Sequence, residues 1–123
     1  MLAAGLSAVV LLGAVTVSSS AFGQKKKAPT KPAAASKADV AAGSKVYMAN
    51  GCSACHAIGA KGGKTGPALT KIGADKKWTA AKLTTLIRDP KKVTPNAKMP
   101  AYGPDKIDDK DLKNLVGYLH SLK

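Results

Sequence analysis

Cys52-Ser53-Ala54-Cys55-His56 constrains this chain more than any other stretch. Two thiols three positions apart, followed at once by an imidazole, make the C-x-x-C-H pattern of c-type haem attachment. The thiols can add to the two vinyl groups of one porphyrin, and the imidazole falls where it can ligate the iron. The chain has two cysteines in all, both in this motif. Other chemistries use the same residues. A C-x-x-C pair can be a redox dithiol, half of a zinc site or a disulfide. A redox dithiol wants a strand–turn–helix setting, and no strand is predicted before Cys52. Zinc needs four ligands, and Cys52, Cys55, His56 and the distant His120 are the candidates on offer.

Residues 1–23 read as a secretory signal peptide. Leu2 to Val17 is an uncharged apolar run, three serines follow, and Ala21-Phe22-Gly23 puts small residues at the cleavage positions. No Lys or Arg precedes the run, and an uncleaved membrane anchor is the alternative, although the run is short of the roughly 20 residues a span requires. Residues 24–37 (QKKKAPTKPAAASK) contain nothing large and apolar, and are expected to form a disordered tether. That leaves 38–123 as one folded domain. A unit so small has a limited core and leans on some further device. Its aromatic side chains are Tyr47, Trp78, Tyr102 and Tyr118. A large flat apolar cofactor would supply the missing volume.

The formal charge is +13. From Asp39 onward 15 Lys or Arg face seven Asp and no Glu, so the domain carries +8. Such a balance favours acidic partner surfaces and fast, salt-sensitive encounter. Nucleic acid is the other common partner of a basic chain, but an exported chain with one Trp and no groove-reading motif argues against it. Some of these lysines simply solvate the surface.

Three main helices are predicted, and no strands. The first spans Asp39 to about Asn50, capped by Asp39, with Val40, Gly43, Val46 and Tyr47 on one face and Asn50-Gly51 closing it. Residues 58–72 form a Gly- and Lys-rich loop with a short helical turn near Leu69. The second helix spans Thr79 to Arg88. It is capped by Thr79, Trp78 can staple onto Leu83, and Asp89-Pro90 stops it. The third spans Asp108 to about Leu122, with Leu112, Leu115, Val116, Leu119 and Leu122 as a buried stripe.

From Asp39 to Lys123 the chain resembles a class I c-type cytochrome of the bacterial monohaem kind. The likeness rests on Cys52, Cys55 and His56, on Gly43 and Tyr47 facing Leu115 and Tyr118, on Gly66-Pro67, and on Met99-Pro100 in a Pro-bounded loop. It implies an all-α cytochrome c fold with long loops around one haem c, attached covalently through Cys52 and Cys55. It also implies a Pro67 carbonyl that orients the proximal His56, and Met99 as the second axial ligand. Met48, inside helix one, is expected to pack in the core or lie at the surface. His120 reads as an ordinary surface histidine. Trp78 loosely resembles an aromatic lying by a haem propionate. The expected function is one-electron transfer by a monomeric periplasmic carrier, not an enzyme, meeting acidic redox proteins transiently. The N-terminal segment would allow membrane proximity. A five-coordinate haem ligand binder or peroxidase-like protein is the alternative; it requires Met99 off the metal. Lys61, Lys64, Lys71, Lys91 and Lys98 are the expected docking rim.

Overall fold

The structure, a computed structural model, describes residues 35–123. The expected signal peptide and most of the expected tether lie outside the described residues.

Helix α1 spans Lys37–Ala49 and begins two residues before the predicted start. Ser36, not Asp39, is its cap. The Ser36 hydroxyl accepts from the Asp39 N–H at 3.2 Å, and the Asp39 carboxylate accepts from the Ser36 N–H at 3.1 Å and its hydroxyl at 2.8 Å. This reciprocal box satisfies two amide donors that the first turn would leave unpaired. Ser36 and Lys37 therefore belong to the helix start rather than to a disordered tether. The Ser36 hydroxyl and amide hold the Asp39 carboxyl below its ordinary 3.8. Stability from that bond is present above the ordinary value and lost as pH falls through the lowered one. Ser36→Ala is expected to cost about 1 kcal/mol in a denaturant titration near neutral pH; an unchanged midpoint would show that the cap adds no stability.

Gly51, at φ 68°, turns the chain out of α1 into the single-turn helix α2, Cys52–Cys55. A minimal antiparallel hairpin follows, β1 Ala57–Ile58 with β2 Lys61–Gly62, where no strand was predicted. Two residues per strand are too few to show alternation, so the sequence pattern could not reveal it. The short turn expected near Leu69 is a 3₁₀ turn at Ile72–Ala74. Helix α3, Ala80–Arg88, has the predicted Thr79 cap, with its hydroxyl accepting from the Lys82 N–H at 3.2 Å. Pro90 ends that helix and opens the short α4, Pro90–Val93, from the first helical position. Helix α5, Asp109–Ser121, starts at Asp108, whose carboxylate accepts from the Asp111 N–H at 2.7 Å.

The α1–α5 crossing organises the domain. Gly43 lies against the Asn114 carbonyl and Tyr118 Cβ, with no room for a side chain. The bare backbone lets the helices meet closely, and the Tyr47 and Tyr118 rings then pack 5.9 Å apart at 59°. The core joins Val46 and Tyr47 of α1 to Leu83 and Ile87 of α3, Ile107, and the α5 stripe Leu112, Leu115, Val116 and Leu119. Leu122, expected in that stripe, is half-buried at its end. The Ala35 methyl group lies against Gly117 on α5. Among the described residues no helix is long and apolar enough to cross a membrane.

Candidate functional site

One wall of the site is built within sixteen residues of sequence. The α2 turn puts Cys52 and Cys55 three positions apart, on one face. The chain then doubles back along it: Gly63 N–H donates to the Ser53 carbonyl, Gly66 N–H to Cys55 and Leu69 N–H to Ala57, each at 2.8 Å. This return brings Pro67 to His56, whose Nδ1 lies 2.8 Å from the Pro67 carbonyl oxygen. A carbonyl can only accept, so Nδ1 carries a proton, and in the neutral ring Nε2 is the nitrogen left with a lone pair. That is the tautomer a metal-binding imidazole needs. Gly66 lies against the ring. A Cβ there would sit 2.6 Å from Cε1 and 2.8 Å from Nδ1. The Tyr47 hydroxyl donates to the His56 carbonyl at 2.7 Å, tying α1 to the motif. Burial raises both the Tyr47 and Tyr102 phenols above 10.0, which keeps them protonated and able to donate.

A further part of the wall comes from the segment between α4 and α5. Met99 is half-buried against the core. Three residues on, the Tyr102 N–H donates to the Ile87 carbonyl at 3.0 Å, and its hydroxyl reaches the Asn50 carbonyl at 3.3 Å. Arg88, at the end of α3, donates to the carbonyls of Tyr102 at 2.9 Å and Ile107 at 2.6 Å, and pairs with Asp109 at 2.7 Å.

Within these walls is a cavity of ≈ 860 Å³, at the large end of the about 300–1,000 Å³ of small-molecule and cofactor sites. Cys52, Cys55, His56, Pro67, Trp78 and Met99, the six residues singled out from the sequence, all line it. Leu69, Ile72, Leu83, Leu86, Ile87 and Leu115 supply much of its apolar surface. Two thiols, an imidazole with a free nitrogen, a thioether and apolar walls form a donor set that fits a covalently attached haem. Burial pushes the Cys52 thiol above its ordinary 9.0, while Cys55 is exposed. The two are not joined in a disulfide. Among the described residues no group of three or more His, Cys, Asp or Glu is placed to hold a metal ion.

His120 corrects an expectation. It is not a free surface histidine: its Nε2 lies 2.7 Å from the Trp78 carbonyl, joining α5 to the residue before the α3 cap. Trp78 is half-buried, with the ammonium groups of Lys77 and Lys82 at 5.8 and 5.2 Å from its ring centroid. Of the expected rim lysines, Lys71 and Lys98 line the cavity and are joined there by Lys77; Lys61, Lys64 and Lys91 are exposed but do not line it. Met48 is 61% exposed. The sequence reading missed Arg88 and the Tyr47 hydroxyl. Arg88 carried a signal, being the one arginine beside nineteen lysines.

Residues 38–119 match the family described as cytochrome c oxidase, cbb3-type, subunit III. The chain belongs to this family of monohaem c-type cytochrome domains. The mostly helical cytochrome c fold with three main helices agrees with the sequence reading, and membership together with the C-x-x-C motif implies a covalent haem c. The cytochrome is also 38% identical over 88 residues to the protein named cytochrome c oxidase subunit 2 of Alkalihalophilus pseudofirmus (strain ATCC BAA-2126 / JCM 17055 / OF4), a match covering 66% of this chain and 25% of that relative. The chain thus spans about a quarter of that relative's length. No solved structure matches.

Proposed function

We propose that this cytochrome domain is a one-electron carrier, not a catalyst, holding one haem c through Cys52 and Cys55 with His56 and Met99 as axial ligands. The observation that supports this most is that thiols, imidazole and thioether share one apolar cavity, with the imidazole already fixed by the Pro67 carbonyl at 2.8 Å. The bound haem would supply a one-electron couple. The chain's own residues do the rest. Pro67 holds the His56 ring in one orientation and tautomer. Met99 offers a neutral thioether, which raises the potential. With His56 and Met99 both on the iron, no position would be left for a substrate. The apolar walls and Trp78 would pack against the haem and limit its contact with water.

The partners we propose are respiratory redox proteins, in keeping with a relative named as an oxidase subunit. Lys71, Lys77 and Lys98 would face an acidic docking surface, in an encounter under about 1,200 Å². We place the domain outside the cytoplasm, on the reading of residues 1–23 as an export signal.

The test is a spectrum of the matured protein. The expected result is a covalent haem by mass and a reduced low-spin spectrum that carbon monoxide leaves unchanged. A spectrum shifted by carbon monoxide would replace the carrier with the five-coordinate ligand binder. Reaction with an acidic redox partner is expected to slow as ionic strength rises past about 0.1 M, where the Debye length falls to ~10 Å. A rate that ignores salt would remove the lysine docking surface.

A further inference from the structure

We propose that Arg88 is a positioning residue for Met99, setting how often the thioether leaves its place in the site. The inference rests on the reading of Met99 as an axial ligand; Arg88 itself touches the backbone that follows Met99 and the Asp109 carboxylate, not Met99.

The chain meets every other basic need with lysine and uses arginine once. The difference is geometric. Lysine offers a point charge on a flexible stem, whereas arginine holds five donors in a rigid plane. Arg88 uses that plane. Nη1 donates to the carbonyls of Tyr102 and Ile107, at 2.9 and 2.6 Å, and Nη2 reaches Asp109 at 2.7 Å. The Asp109 side chain is 93% exposed, so the ion pair contributes little. The Arg88 side chain is 20% exposed, and its two carbonyl bonds are part-buried and charge-assisted. The weight of the interaction therefore lies on the two carbonyls.

Those carbonyls bracket the segment that carries Met99 to α5. The chain from Met99 to Ile107 contains no helix or strand to stiffen it. Tyr102 is its main attachment: its N–H bonds Ile87, its carbonyl takes Arg88, and its hydroxyl makes the long bond to Asn50. Arg88 adds the second carbonyl, at Ile107, just before the Asp108 cap of α5. Removing the fork leaves the stretch from Met99 to Tyr102 tied to α3 and α1 by one amide bond and one long hydroxyl bond, while Ile107 stays anchored in the core through its side chain. The detached state of the thioether then becomes more populated.

Exogenous imidazole measures that population, because it can occupy the Met99 position only when the thioether is away. Its apparent dissociation constant is the intrinsic one divided by the detached fraction. In the ferric holoprotein, Arg88→Gln is expected to tighten apparent imidazole binding roughly tenfold. Arg88→Lys is expected to move the same way, since it keeps the charge and loses the fork. Asp109→Asn is expected to leave the affinity unchanged. Ser36→Ala, which weakens the remote start of α1, is expected to lower the melting temperature without changing imidazole affinity, separating positioning from general destabilisation. Wild-type imidazole affinity in Arg88→Lys or folded Arg88→Gln overturns the proposal, as does an Asp109→Asn gain equal to that of Arg88→Gln. A wild-type ferric spectrum lacking the weak far-red sulfur-to-iron band would instead reject Met99 as ligand, before any Arg88 variant is read.

Discussion

Met99→Ala is expected to abolish the far-red sulfur-to-iron band of the ferric protein, lower its potential and open the reduced form to carbon monoxide. Outside residues 1–23 the chain has one other methionine, Met48, which is 61% exposed and absent from the cavity wall. No second thioether can substitute. His120 is held by the Trp78 carbonyl and also does not line the cavity. The vacated side would fall to water or an added ligand. Axial ligation shifts haem potentials over a span of about 0.8 V, so the change should be large in a redox titration. The variant's fold should persist, because Met99 lies at the edge of the core while Leu83, Ile107 and Leu115, each 1% exposed, form its centre. A variant that keeps the band, the potential and indifference to carbon monoxide would place the sixth ligand elsewhere.

Gly66→Ala is expected to act on the other face. The added carbon would meet the His56 ring at 2.6 and 2.8 Å, closer than carbon atoms tolerate. Neither side can easily retreat. The ring is bonded through Nδ1 to Pro67, and the Gly66 N–H is bonded to the Cys55 carbonyl. Either the ring swings and loses its carbonyl, or the return loop lifts from α2. Overpacking of this kind costs about 1–3 kcal/mol, and a swung ring changes the orientation and basicity of the ligand. The expected outcome is less haem incorporated on maturation, a lower melting temperature and a shifted potential in what does mature. Gly51→Ala is the useful contrast. Nothing lies within 4 Å of its Cβ position, but φ is 68°, so it should lose about 1–2 kcal/mol of stability to backbone strain. Its potential should stay near the wild-type value. Wild-type melting and potential in Gly66→Ala would show that the ring has more freedom than its packing implies.

Much of this site is legible in the sequence because its chemistry is concentrated in short strings. Cys52-Ser53-Ala54-Cys55-His56 and Gly66-Pro67 lie close together, and their bonds are local. Met99-Pro100 stands out as a methionine in a Pro-bounded loop. Helices α3 and α5 announce themselves through Thr79, Asp108 and a regular apolar stripe. Ser36 was less obvious, although Ser36-Lys37-Ala38-Asp39 is a capping-box pattern, because Asp39 alone is also a sound cap. The hairpin at Ala57–Gly62 was hidden by brevity. Arg88 and His120 were hidden for another reason. Their partners are backbone carbonyls 14 to 42 residues away. A carbonyl has no residue identity, so no local pattern points to it.

The contact between Ala35 and Gly117 has an architectural consequence. On α5, position 117 lies on the side opposite Leu115 and Leu119, which border the cofactor space. Ala35 thus packs on the back of the domain, away from the cavity. Entry on that side keeps residues 35 and 36 clear of the cofactor space, so α2, the return loop and the Met99 segment frame it without them.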